Sequence, residues 1–431
     1  MEIIFWGSTE GVTGSMTFVR LPEGLICVDA GLYQGTEETE ALNEKPLPFN
    51  PNEINAVILT HAHLDHSGYL PLLIKNGFKG KIFCTRPTAA LIKIILEDSA
   101  KIPEQHYYDE EHVKETLKHL SIIEWNESKS LFGGSFKLIP AGHILGASSL
   151  SLESEGKTIV FSGDLGRKDD PMIKAPLPCP PCDAVIMEST YGHRKRTGDI
   201  EKELNSFLMK ISRESRIGII ASFAVARGQL LITLINDFFI RHPDEKVRVV
   251  FDSPMMGLAN EVYEKYSYLT KIPGTIKNAL LGQEGIEHQG QWDGLKKKKG
   301  PLIIISSSGM LTGGRIGRHL ENWQDDKTAI LFLTGYQSEG TPGRELLNGH
   351  RTIKSTSGKM IHWEGEVLSS DAFSSHADHD ELIEWTNELN CESKIFLIHG
   401  EKDAKMNLKN DLSSKFSFVH IPSKSEIFNL K

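Results

Sequence analysis

No apolar stretch in the chain approaches the ~20 residues that a membrane span requires. The start, "MEIIFWGSTEG", lacks the basic segment, long apolar region and small-residue cleavage site of a secretory signal. The first absence argues against a membrane helix and the second against export, so the expected location is the cytoplasm. Cysteine is scarce: Cys27, Cys84, Cys179, Cys182 and Cys391 are five in 431 residues. A sparse, odd set argues against a disulfide framework and fits a reducing compartment. Only Cys179 and Cys182 have a suggestive spacing, but "APLPCPPCDA" is proline-rich and has no second pair to complete a zinc knuckle, so it reads as a plain loop. Net positive charge is also lacking. A formal charge of −9 is a mild objection to a nucleic-acid ligand, because phosphate contacts normally supply much of the affinity. Bound divalent metals would reverse the local sign. The run Lys296 to Lys299 reads as a solvated loop rather than a binding patch. Repeats and low-complexity segments are absent too.

What is present is an ordinary globular composition, 39% hydrophobic and 24% charged, at a length that accommodates two cores. Short β-branched runs keep stopping at a potential ligand: "LICVD" at Asp29, "AVILTH" at His61, "FKLIPAGH" at His143, "TIVFSGD" at Asp164, "AVIME" at Glu188 and "KIFLIH" at His399. They predict six buried strands that deliver carboxylates and imidazoles from their carboxyl ends. Polar strand ends are common, but these supply only His, Asp and Glu, the oxygen and nitrogen ligand types. Between Glu188 and His399 strand and helix alternate, as in "RIGIIAS" before "RGQLLITLINDFFIRH" and "KVRVVFDS" before "MMGLANEVYEKY". That alternation predicts a parallel sheet covered by helices, a domain of its own inserted into the first. Its strands end in "SFAVARGQ", "SSSGMLTGGR" and "GYQSEGTPGR". Ser, Gly and Arg at such ends can cradle phosphate, which makes Arg227, Ser307, Ser308, Gly309, Tyr336 and Arg344, with Ser375 near His376, candidate phosphate contacts.

The densest chemistry is "HAHLDH". His61 and His63 lie two apart in a loop and can converge on one ion, whereas Asp65 and His66, opening the next helix, point toward a second. His143 is the further candidate for the first ion, His399 for the second, and Asp164 for a carboxylate shared between them. Nitrogen and oxygen ligands of this kind suit two zinc ions, with manganese an acceptable substitute.

These motifs resemble the metallo-β-lactamase fold, and "MESTYG" around Glu188, "FSSHAD" around His376 and "LIHGE" around His399 resemble the added motifs of the β-CASP ribonucleases. The resemblance runs over nearly the whole chain. It implies an α/β protein: an αββα sandwich from residues 1–198 and 368–431, with an inserted β-CASP domain, 199–367, built on a mainly parallel sheet. It also implies that Asp29 orients ligands from behind, that Asp164 bridges the ions, and that Glu188 holds His376 against the scissile phosphate. The expected activity is hydrolysis of single-stranded RNA by a water activated between two zinc ions, leaving a 5′-phosphate and a 3′-hydroxyl, with His376 as general acid. His399 resembles the RNA-cleaving rather than the DNA-repair branch. An endonuclease is favoured, with a 5′–3′ exonuclease as the alternative. "FAVARGQ" departs from the family at Ala226 and Gly228, which weakens any weight placed on Arg227. The chain ends soon after His399, so the resemblance suggests a minimal nuclease core, and a homodimer is compatible with it. Two rivals stay open: a small-molecule metallohydrolase of glyoxalase or lactamase type, and a non-catalytic RNA-processing subunit.

Overall fold

The computed structural model describes residues 1–102, 107–276, 279, 299–338, 340–355 and 358–431. Lys296, Lys297 and Lys298 of the lysine run lie outside them. The chain divides into two compact units, Met1–Lys195 with Ser375–Lys431, and Arg196–Ser374. The sequence reading places the second junction at 367/368. The strand Glu366–Ser370 is instead paired in parallel with Ala329–Thr334, so the inserted unit runs on to Ser374.

In the first unit two seven-stranded sheets face one another. One runs in the order Ile427–Asn429, Glu2–Phe5, Thr17–Leu21, Gly24–Val28, Ile54–Ile58, Lys81–Cys84, Leu120–Ile122. The other runs Phe418–His420, Lys394–Leu397, Ala184–Met187, Lys157–Phe161, Ser148–Ser154, Gly134–Pro140, Lys129–Leu131. Phe5, Ile26 and Ile58 from the first meet Leu138, Leu150, Phe161, Ile186 and Phe396 from the second in one buried cluster. Ala184–Met187 is apolar throughout because parallel neighbours flank it and both of its faces are covered. Thr17–Leu21 exposes only Arg20, which covers its single solvent-facing position. Helices Arg86–Ser99 and Glu110–Lys118 lie beside the first sheet and Lys402–Leu412 beside the second. All six runs that end at Asp29, His61, His143, Asp164, Glu188 and His399 form strands that stop one to three residues short of that polar residue.

The second unit has a five-stranded sheet in the order Arg248–Asp252, Leu302–Ser306, Ile217–Ala221, Ala329–Thr334, Glu366–Ser370, with every pair parallel. Two of its helices begin on side-chain caps of this kind: Asp199 accepts from Lys202 N–H ahead of Ile200–Arg213, and Ser253 accepts from Met256 N–H ahead of Pro254–Lys265. The family resemblance implies a mainly parallel inserted sheet, and among the described residues it is wholly so.

Candidate metal centre

"HAHLDH" forms a loop that turns into the single-turn helix Leu64–Ser67. The turn is held tightly, because Gly31 passes so close to it that a Cβ there would lie 1.6 Å from the Asp65 carbonyl oxygen. No side chain larger than hydrogen fits at that crossing. Gly142, at φ +71, likewise lets the chain turn before His143 against the backbone of Lys174–Pro176.

Two ligand groups result. In the first, His61 Nε2 and His143 Nε2 lie 3.1 and 3.2 Å from His63 Nδ1, and each lies 3.6 Å from Asp164 Oδ2. In the second, His66 Nε2 and His399 Nε2 are 3.1 Å apart, 3.2 and 3.7 Å from Asp164 Oδ1, with Asp65 Oδ2 3.4 Å from His399 Nε2. Asp164 therefore offers one oxygen to each group.

The outer ring nitrogens decide which lone pairs point inward. The Thr60 hydroxyl donates to Asp29 Oδ2 (2.8 Å), leaving its oxygen to accept from His61 Nδ1, 3.1 Å away. Asp29 Oδ2 also faces His66 Nδ1 at 2.8 Å. Thr190 Oγ1 does the same for His399 Nδ1 at 3.1 Å. Each of these rings thus carries its proton outside and turns Nε2 to the centre, the tautomer a metal ligand needs. Burial holds His61 and His143 well below the ordinary imidazole range and His63 at about 4. Burial opposes the charge on Asp164, yet the surrounding histidines, His399 and His66 foremost, hold its carboxyl well below the ordinary range. Asp65 is lowered too, with burial again overcome by His399 and His66. Neutral imidazole lone pairs aimed at one another across about 3 Å repel unless a cation lies among them, and with His66 neutral Asp164 Oδ1 has no hydrogen-bond donor among the described residues. At His66 burial works against the charge, but Asp164 and Asp29 raise the ring well above its ordinary range, so a cation there competes with a proton on Nε2. The donor set fits two divalent ions.

Beside the ligands, His376 Nδ1 lies 3.3 Å from Glu188 Oε1, and its Nε2 lies 4.0 Å from Asp164 Oδ2. Glu188 is fixed in turn by Leu165 N–H, which donates to Oε1 at 2.6 Å. His376 keeps a fifth of its side chain exposed, whereas Glu188 is buried. Burial opposes the charged ring, but Glu188 and then Asp164 outweigh it and raise its pKa.

The candidate RNA contacts fall in two places. Ser307, Ser308, Gly309 and Tyr336 sit on loops that follow strands of the second unit's sheet, Arg227 opens the helix Arg227–Arg241, and Arg344 lies in the helix Pro342–Leu347. Gln337 ties these loops together, donating to the Gly309 and Gly335 carbonyls at 3.1 Å each. Arg227 is buried, with its guanidinium 5.5 Å from the Phe223 ring centroid, so it is packed into its own unit rather than laid on the surface. Ser375 belongs to the first unit, where its carbonyl accepts from Arg167 N–H. Sequence reasoning missed Thr60, Thr190 and Gln337. The two threonines had a signal, since each adjoins a ligand-bearing strand end; Gln337 had none.

The metallo-β-lactamase superfamily model matches residues 9–215, the β-CASP domain model 228–346, and the Zn-dependent metallo-hydrolase RNA specificity domain model 361–422. A ribonuclease of Thermus thermophilus, TTHA0252, is 33% identical over 418 residues, 95% of either chain. An RNase J-like protein of Methanocaldococcus jannaschii is 31% identical over 406 residues, 92% of either chain. The solved structure of an Enterococcus faecalis protein of unknown function has the same fold, with a TM-score of 0.58 at 15% identity over 100% of this chain and 99% of that one. Similarity of that degree over that length leaves one assignment: the chain belongs to the β-CASP ribonuclease family of the metallo-β-lactamase superfamily.

Proposed function

We propose that this protein is a zinc-dependent ribonuclease that hydrolyses phosphodiester bonds of single-stranded RNA, leaving a 5′-phosphate and a 3′-hydroxyl, as an endonuclease in preference to a 5′–3′ exonuclease. The observation that carries the reading is Asp164, whose two oxygens divide between two ligand groups beside a carboxylate-backed imidazole. His61, His63 and His143 would hold one ion, Asp65, His66 and His399 the other, with Asp164 shared. When bound, such ions supply a water of near-neutral pKa and positive charge for phosphoryl oxygens. Asp29, Thr60 and Thr190 keep the ligand rings in the required tautomer. Glu188 accepts from His376 Nδ1 and favours the imidazolium, so Nε2 can donate a proton to the departing 3′ oxygen. Residues 222–228, 307–314, 335–338 and 340–344 of the inserted unit are assigned to the RNA backbone. The small-molecule alternative gains nothing from an inserted unit of this size or from the Glu188–His376 pair.

Digestion of 5′- and 3′-labelled RNA, with and without a 5′-monophosphate, tests this. Internal cuts independent of the 5′ end are expected. Stepwise release of mononucleotides from a monophosphorylated 5′ end would make it an exonuclease, and hydrolysis of a thioester or lactam in place of RNA would overturn the ribonuclease assignment.

A further inference from the structure

The loop that supports His399 begins at an aromatic residue with no part in the metal centre. Ser8 and Gly11 accept through their carbonyls from the His399 and Gly400 N–H groups (2.7 and 3.1 Å), and Ser8 Oγ contacts Ser15 Oγ, which lies 3.2 Å from His66 Nε2. Trp6 stands two residues before Ser8 and is half-buried. Half-buried Tyr33 comes alongside: its hydroxyl donates to the Trp6 carbonyl at 3.5 Å, and its ring lies flat on Gly14, where a Cβ would come within 2.7 Å of it. Both rings face one ammonium, with Lys424 Nζ 4.4 Å from the Trp6 centroid and 5.5 Å from that of Tyr33.

Packing alone accounts poorly for this arrangement. Burial and then the like charge of Lys45 push the Lys424 ammonium below its ordinary range, against Glu10 as the carboxylate acting on it. A hydrophobic pair needing only cover would be served by an apolar side chain without that cost. One ammonium set against two aromatic faces, with the Lys45 charge acting on it, matches a ligand that is flat on one side and anionic on the other. A nucleotide within single-stranded RNA has that chemistry: a base face to stack and a phosphate to neutralise.

We propose that Trp6, Tyr33 and Lys424 form a stacking platform for a nucleobase of single-stranded RNA, the base taking the indole face and the ammonium turning to the neighbouring phosphate. The platform rests on the ribonuclease reading and extends it. It places an RNA contact in the first unit, two residues along the chain from Ser8, whose carbonyl accepts from the His399 N–H.

The test is the dissociation constant of a fluorescent uridine oligomer, measured by anisotropy on the zinc-loaded His376→Ala protein, whose slow turnover preserves the ligand. Added to that background, Trp6→Ala is expected to weaken binding about tenfold or more, within the range of one base–aromatic stack. Trp6→Phe should recover most of the loss. Lys424→Ala should weaken binding as well and reduce the slope of affinity against salt by about one phosphate contact. Circular dichroism and zinc content report whether each variant is folded, and Lys424→Ala decides the matter if Trp6→Ala is not. If the background protein binds RNA and Trp6→Ala and Lys424→Ala bind within twofold of it, the platform is overturned while the nuclease reading stands. If the background protein binds no RNA at all, both fall.

Discussion

Asp164 is the residue whose loss should be felt at both ion positions, because its oxygens are not interchangeable: Oδ2 serves the His61, His63 and His143 group and Oδ1 the His66 and His399 group. Asp164→Asn keeps the volume and removes the charge that offsets two cations. Metal analysis should find well under one zinc per chain instead of about two, with RNA cleavage at background; retention of two ions would show that the carboxylate is not shared. His376 makes a separate prediction. His376→Ala should retain both ions yet slow cleavage by the ~10²- to 10⁴-fold typical of losing a positioned acid. The pH profile carries the sign. A general acid works protonated, so cleavage falls as pH rises through the His376 pKa, which the Glu188 and Asp164 charges raise against the effect of burial. Bound cations act the other way, so the test is a difference. Glu188→Gln deletes a charge that favours the imidazolium, and the alkaline limb of the rate profile should move to lower pH than in the parent. An unmoved limb would mean that Glu188 acts elsewhere.

At the scale of elements, the candidate metal centre depends on strand ends being held against a single helical turn, which Gly31 tests, while Gly257 tests helix propensity in the other unit. Gly31 has the Asp65 carbonyl oxygen where its Cβ would go, so Gly31→Ala must push the helix Leu64–Ser67 away from the strand end that carries Asp29. Thermal unfolding should show a loss of about 1–3 kcal/mol or more, with reduced zinc content because Asp65 and His66 move with the turn. Gly257 is exposed within the helix Pro254–Lys265, with open space around its absent Cβ. Gly257→Ala should therefore stabilise by roughly 0.5–1 kcal/mol through helix propensity alone. These strand ends were legible in the sequence because β-branched runs and their polar stops are local features. The crossing at Gly31 was not, since the Asp65 carbonyl comes from 34 positions along the chain and no local pattern marks a distant backbone oxygen standing where a Cβ would go.

For the whole molecule, the metal groups lie wholly in the unit Met1–Lys195 with Ser375–Lys431, while Arg196–Ser374 has its own core around Ile219, Ile304 and Leu331. Ions that bind only the folded form of one unit stabilise that unit by mass action. Removing zinc with a chelator should lower one calorimetric transition by several degrees or more and leave the other in place. A uniform shift of the entire melting curve would indicate that the two units unfold as one.

Much of this protein was determined by the sequence alone. The order of the ligand-bearing strands, the alternation that makes a separate parallel sheet, and the His and Asp residues of "HAHLDH" are local patterns, set by the strand period of two and by which side chains bind cations. The tertiary structure decided what depends on distant segments meeting. Thr190 is an ordinary loop residue until the strands Ala184–Met187 and Lys394–Leu397 pair in parallel and bring its hydroxyl to His399 Nδ1. Glu366–Ser370 straddles the junction expected at 367/368 until its pairing with Ala329–Thr334 places the whole strand in the inserted sheet. Lys424 is separated from Trp6 and Tyr33 by most of the chain, and the three share no motif. Pairing and packing over such separations are fixed by the free energy of the whole fold, which no short window of sequence contains.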